Sequence, residues 1–208
     1  LLERATFATL ISGDAGEATR MVTAADASVA QQSPSAQLVL IVDEIGSGKT
    51  KSALQRLKTS NLGAINADLV GFLTAWLTAT ESADKGIAAL AQLPPRRLLA
   101  GEQAAIRGMI YLVAGRDEKA IDAFNQAQRL PLASTDLVAS LNARLMASRG
   151  DVAGARKAIA LEIDESGASS LTDYLLTMLD SGHPVMRPKR STRQGAAIIV
   201  YLASAGGI

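Results

Sequence analysis

Apolar residues recur along this chain at three- and four-residue intervals, the spacing of one face of a helix. Ala120, Ile121, Phe124 and Ala127 keep that rhythm, as do Ala53, Leu54 and Leu57. Between such stretches one short punctuation returns: an apolar helix, a turn with Gly and a polar residue, then a second helix with an early Ala. Its clearest copies are Ser12-Gly13-Asp14-Ala15-Gly16-Glu17-Ala18, Ala114-Gly115-Arg116-Asp117-Glu118-Lys119-Ala120 and Arg149-Gly150-Asp151-Val152-Ala153-Gly154-Ala155. Weaker copies run Ser47–Ala53 and Ala83–Ala89. The early alanines stand at 18, 53, 89, 120 and 155, at intervals of 35, 36, 31 and 35 residues. Such spacing predicts stacked units, because one helical hairpin cannot bury its apolar stripe alone and neighbours must share a core.

The turn chemistry fits. A Gly after an apolar helix can take the left-handed position that ends it. Asp14, Asp117 and Asp151 are then expected to cap the next helix by accepting from its unpaired N–H groups. One short turn thus ends a first helix and starts a second, which forces an antiparallel hairpin. The pattern predicts five hairpins within residues 1–165, spanning 1–30, 34–60, 65–93, 101–130 and 134–165. Residues 166–208 hold a helix near 169–181, with Ser170 and Asp173 as its capping start, a basic linker, and a helix near 192–205. These last two read as a degenerate sixth pair, for about twelve helices altogether. The chain opens in helical pattern at Leu1-Leu2-Glu3-Arg4 and its last segment looks interrupted, so both ends read as cut.

Composition narrows the class. Hydrophobic residues make up 48 % of the chain but aromatics only 3 %, which suits helices packed through small side chains. A β-sandwich would want more β-branched and aromatic residues. Lys+Arg is 21 and Asp+Glu is 20, so no electrostatic drive toward nucleic acid exists. The absence of cysteine removes disulfides, thiolate metal sites and thiol nucleophiles. The longest apolar run, Ala196 to Ala203, is too short for a membrane span.

Gly46-Ser47-Gly48-Lys49-Thr50 imitates a phosphate-binding loop. That loop needs a leading Gly where this chain has Asp43, and it should follow a buried strand. Leu38 to Val42 could pass for that strand, but no βα alternation follows, and Asp43 and Glu44 would repel a triphosphate. The segment reads as an inter-helix turn, so no nucleotide and no cofactor are expected. His183, the only histidine, precedes Pro184 and reads as an exposed loop residue rather than a base. No second histidine exists to make a metal pair. The acidic pairs Asp43-Glu44, Asp117-Glu118 and Asp164-Glu165 read as helix ends and faces, not as general acids or bases. Arg187, Lys189, Arg190 and Arg193 read as a solvated linker, with contact to an acidic partner as the alternative. Pro94-Pro95-Arg96-Arg97 reads as an extended connection. Trp76 sits on an apolar stripe with Phe72, Leu73 and Leu77 and reads as core, with a peptide anchor as the alternative.

Residues 101–132 carry a family resemblance. Gly108, Tyr111, Ala120 and Phe124 match four positions of the tetratricopeptide pattern, and Ala127 takes the small position that follows. Ala104 and Arg107 replace the usual Trp and Leu, Leu132 stands where Pro is usual, and the fifth unit keeps Ala155 and Ala143. Through Leu1–Ala5, Ala88–Leu93 and Arg193–Ala197 the chain is similar to tetratricopeptide-repeat proteins of α-proteobacteria. The resemblance implies an all-α solenoid of antiparallel hairpins in a right-handed superhelix, and an exported, periplasmic setting with a cytoplasmic one as the alternative. It also implies a non-catalytic scaffold that binds a protein or peptide on a concave face lined by the first helix of each unit. Carried onto this chain, the register puts Glu102, Met109, Ser140, Arg144, Thr74 and Thr78 on that face. Arg144 would hold an acidic group and Met109 an adaptable apolar contact. The alternatives are a docking arm of an enzyme whose catalytic domain lies outside this chain, and a self-associating homo-oligomeric module.

Isothermal titration with Mg²⁺ and ATP or GTP should show no site. Stoichiometric binding that Lys49→Ala abolishes would restore the phosphate-loop reading.

Overall fold

The computed structural model describes residues 15–62, 66–94, 99–132 and 134–205. Among them all regular structure is helical, without a strand. The helices are α1 (Ala15–Ala24), α2 (Ala27–Gln32), α3 (Pro34–Gly46), α4 (Thr50–Thr59), α5 (Ala67–Ala79), α6 (Ala83–Ala91), α7 (Ala100–Val113), α8 (Asp117–Ala127), α9 (Thr135–Ser148), α10 (Val152–Ser166), α11 (Ser170–Asp180) and α12 (Thr192–Ala205). Neighbours in sequence pack in pairs: α3 with α4, α5 with α6, α7 with α8, α9 with α10. Leu38 to Val42, the candidate strand, lies inside α3. The first helix of the first hairpin and Asp14 fall outside the described residues. α2 was not expected; Asp26 caps it by accepting the Ser28 N–H at 2.8 Å, and Ser33 with Pro34 starts α3.

Three hairpin turns are built alike. Gly48, Gly115 and Gly150 have φ of +74°, +75° and +89°, backbone that costs a side-chain-bearing residue dearly. The next residue then turns its N–H back onto the ending helix: Lys49 to the Glu44 carbonyl at 2.7 Å, Arg116 to Tyr111 at 2.9 Å, Asp151 to Met146 at 3.0 Å. These bonds satisfy carbonyls that the helix end leaves open. Gly46 to Thr50 is therefore a helix reversal, with Lys49 exposed.

Two details of the sequence reading change. Asp151 does cap α10, accepting the Gly154 N–H at 2.8 Å. Asp117 does not cap: Arg116 occupies the cap position of α8 and the Asp117 carboxylate points elsewhere. The box that starts α11 is Ser169 with Thr172, one residue ahead of the expected pair.

The third hairpin also shifts. Its turn lies at Thr80–Ser82, so α6 begins at Ala83 and its fourth residue is Gly86 rather than Ala89. Ala53, Gly86, Ala120 and Ala155 are each the fourth residue of a second helix, Ala18 is the fourth residue of α1, and each is buried. Their intervals are 35, 33, 34 and 35 residues. A Cβ at Gly86 would collide with Ala79 of α5, so this slot is set by how closely the paired helix approaches. In the fourth hairpin a Cβ at Gly108 would stand 2.6 Å from the Phe124 ring. Small residues here convert helix pairing into backbone-level contact.

The helices divide into two compact units. One holds α1 to α6 with Thr192–Val200 of α12; the other holds α7 to α11 and the extended residues that follow α11. Residues 166–208 are thus shared between the two. In the first unit Trp76 is buried, its indole N–H donates to the Thr192 carbonyl at 3.0 Å, and Gly195 lets α12 lie flat on the ring. In the second unit Ala143, Ala155, Ala158, Ile159, Leu175 and Leu179 form a core between α9, α10 and α11. Beside it the buried Asn142 amide donates to Asn125 at 2.7 Å and Gln128 at 3.0 Å, and Gln128 donates to the Ala158 carbonyl at 3.0 Å. These bonds tie α8, α9 and α10 in one register.

Gly86→Leu and Ala120→Trp should each lower stability by about 1–3 kcal/mol or more through overpacking, read as a lower urea midpoint. Parental midpoints in both variants would mean that these slots are not packed as described.

Candidate functional site

α11 ends as the hairpin helices do. Gly182 has φ +68°, and the His183 N–H reaches the Met178 carbonyl at 3.1 Å. Elsewhere such a turn opens a second helix. Here Pro184 and Pro188 prevent it: Pro184 would suit a first helical position, but Pro188 in the interior has no N–H and its ring strikes the preceding turn. Residues 183–191 therefore form no helix, and the prolines favour extended backbone at the residues before them. This strap leads from the end of α11 past α9 to the α7–α8 turn. From Pro184 to Arg187 exposed and half-buried residues alternate. Val185 packs on the core of the unit, Met186 is 70 % exposed, and Arg187 turns inward. Pro188 is buried.

Two grips hold the strap. At the first, the Arg144 Nε of α9 donates to the Met186 carbonyl at 2.8 Å, and its terminal nitrogen reaches the Arg187 carbonyl at 3.5 Å. A guanidinium fork on main-chain oxygens holds an extended backbone without reading its side chains. Burial pushes the proton affinity of Arg144 below the usual guanidinium range, and Tyr174 offsets this only in part. No carboxylate among the described residues pairs with it.

At the second grip, Asp117 opens α8 with its carboxylate only 10 % exposed. Its Oδ1 accepts from Arg187 at 2.6 Å and Arg190 at 3.2 Å, and its Oδ2 from Arg149 at 3.3 Å. Arg149 also pairs with Glu118. The Arg190 guanidinium lies over Gly115, 3.2 Å from where a Cβ would stand. Burial alone would raise the pKa of Asp117, but Arg187 and Arg190 outweigh it, and the net shift is downward. The unpaired N–H groups at the start of α8 also favour an anion there.

Between α9, α11 and the strap lies a pocket of about 300 Å³. Ser140, Arg144, Leu171, Leu175 and Met178 line it. Tyr174 and Met186 stand at the same pocket, 59 % and 70 % exposed. They are two of the four large apolar side chains exposed among the described residues, the others being Val29 and Val152. Exposed apolar side chains gathered at a concavity are the usual mark of a contact surface.

Of the six residues expected on one face, two come together. Ser140 and Arg144 do meet in this pocket, with Ser140 buried. Glu102 and Met109 are buried in α7 and present no surface to solvent. Thr74 and Thr78 belong to α5 in the other unit, both half-buried, and the Thr78 hydroxyl donates to the Thr74 carbonyl at 2.7 Å. Trp76 is core. His183 is exposed, with Nδ1 2.6 Å from the Ser181 hydroxyl. Glu44 is buried and accepts from Arg56 at 2.8 Å and Ser52 at 2.9 Å, while Asp164 and Glu165 are exposed. No group of three metal-ligating side chains occurs among the described residues. Arg187 and Arg190, read as a solvated linker, are instead bound to Asp117.

Sequence reasoning missed Asp117 as an arginine acceptor. One signal was present: in the fifth unit Asp151 follows its Gly directly and caps, whereas Arg116 intervenes in the fourth and pushes Asp117 out of the cap position.

The Asp117 shift fixes a pH dependence. A depressed carboxylate pKa adds stability above the ordinary value of 3.8, and that gain is lost as pH falls through the lower folded value. Urea denaturation should therefore give Asp117→Asn a deficit against the parent that is constant from pH 7 to pH 5 and shrinks only under stronger acid. A deficit that vanishes between pH 7 and 5 would contradict the assignment.

Compared with known proteins, the chain matches no family model, no curated protein and no solved structure.

Proposed function

We propose that this chain is a non-catalytic, tetratricopeptide-like array of helical hairpins, and that its second unit binds an extended segment of a protein or peptide. The hairpin reading is supported by the buried small residue at the fourth position of α1, α4, α6, α8 and α10, recurring at 35, 33, 34 and 35 residues, close to a 34-residue unit. In such an array α7, α9 and α11 are the first helices and line the inner face.

The single observation that carries the binding reading is the Arg144 fork on the Met186 and Arg187 carbonyls. A half-buried guanidinium engages two successive main-chain carbonyls of an extended segment, next to a pocket of side-chain size. Main-chain bonds give such a site affinity, and the pocket gives selectivity. Nothing in this arrangement needs Met109 or Glu102, so the binding face shifts from the six expected residues to Ser140, Arg144, Tyr174 and the turn at Asp117.

An array of ten-residue peptides probed with the purified protein tests this, with anisotropy titrations of the binders. Arg144→Glu should weaken the best binder about tenfold or more, the worth of one charge-assisted bond, and leave the helical circular dichroism unchanged. Arg156→Glu should not weaken it, although it removes a bond from Arg156 to the Leu179 carbonyl and its pair with Asp180. A set of binders indifferent to Arg144→Glu would remove the reading.

A further inference from the structure

The strap specifies the chemistry of a partner. We propose that the second unit recognises, in another protein, an extended basic segment with two arginines three residues apart, and that residues 184–190 are an internal copy of that ligand which the partner displaces. The inference rests on the peptide-binding reading above and adds to it the sequence class of the ligand and the regulation of the site.

The charge pattern argues for it. The Asp117 carboxylate is nearly closed off from water, and it accepts from Arg187 and Arg190 together. Extended backbone brings residues three apart to about 10 Å, so both arginines converge on one carboxylate only by reaching inward along their long side chains. The pair therefore reads as a two-armed clasp that an Arg-x-x-Arg segment reproduces and a single arginine does not. The peptide backbone just ahead of the clasp falls to Arg144, whose grip on carbonyls suits any sequence. Pocket and fork need no residue that only the strap can offer.

The strap is also built to be exchanged. Gly182 and the His183 N–H close α11 ahead of Pro184, so release of residues 184–190 leaves that helix finished. Its two prolines hold it extended whether bound or free, which lowers the ordering cost of rebinding. Arg187 and Arg190 keep 36 % and 44 % of their side-chain surface in solvent, and Met186 lies mostly outside. Being tethered, the strap acts at a high effective concentration and so screens out weak competitors.

The probe is a fluorescein-labelled peptide with the sequence of residues 184–190, titrated by anisotropy into the full chain. It should bind the Arg187→Ala/Arg190→Ala protein about tenfold or more tightly than the parent, because the parent exposes the site only in the fraction of molecules whose strap is released. Adding Asp117→Asn or Arg144→Ala to that protein should abolish binding, as should replacing both arginines of the peptide by alanine. Thermal melts confirm that each variant folds. Equal affinity for parent and strap variant would overturn the proposal, since the strap would then not compete. No binding of this peptide, with array peptides still binding in an Arg144-dependent way, would overturn the proposal and leave the peptide-binding reading standing. Loss of every Arg144-dependent binder would overturn both. Sedimentation showing a parental dimer that the peptide dissociates would give the site to the strap of a second copy and overturn the proposal of another partner.

Discussion

Four of the helix ends described here reverse the chain through one glycine in left-handed backbone, and the strap depends on the last of them. At Gly48, Gly115, Gly150 and Gly182 the residue after the glycine turns its N–H back onto the ending helix in the same way. After three of them a helix starts at once and folds back, so its small fourth residue meets the helix just finished. After Gly182 the same reversal occurs but two prolines refuse the helix. The chain is then committed to a direction without having a secondary structure to fill it. The strap therefore follows a helix reversal after which no helix starts, and it lies along the unit that directed it there.

The repeat geometry was largely legible because it is local. Left-handed glycine, a polar residue and an early alanine lie within seven residues, and the helices they predict appear as α4, α8 and α10. α11 and α12 also fall where the pattern placed them. The third unit misled because it has no glycine in its turn: Thr80, Glu81 and Ser82 make the reversal with ordinary backbone, and Ser82 supplies the cap. Choosing Ala89 as its small residue made the intervals irregular. Gly86, one turn earlier, restores them, and the collision of a Cβ there with Ala79 explains why glycine replaces alanine.

The face around Arg144 was only partly legible, for a different reason. Periodicity assigns residues to faces of a helix but does not say what else lands on those faces. Met109 and Glu102 were placed outward on α7, yet both are buried. Asp117 meets Arg149, Arg187 and Arg190 across 32, 70 and 73 residues of chain, and no local rule joins them. The basic cluster looked solvated because its acceptor sits at the start of a helix where an acid already has a sufficient local explanation. Long-range ion pairs of this kind hide behind locally adequate roles.

The contact between Trp76 and Gly195 has one more consequence. Trp76 is the only tryptophan in the chain, and its indole lies beneath α12 with its N–H on the Thr192 carbonyl. Thr192 is the residue immediately after the strap. An indole in that position emits at short wavelength while covered and shifts to the red once water reaches it. The chain therefore carries an intrinsic optical reporter at the point where α12 begins, readable in the native protein without any label.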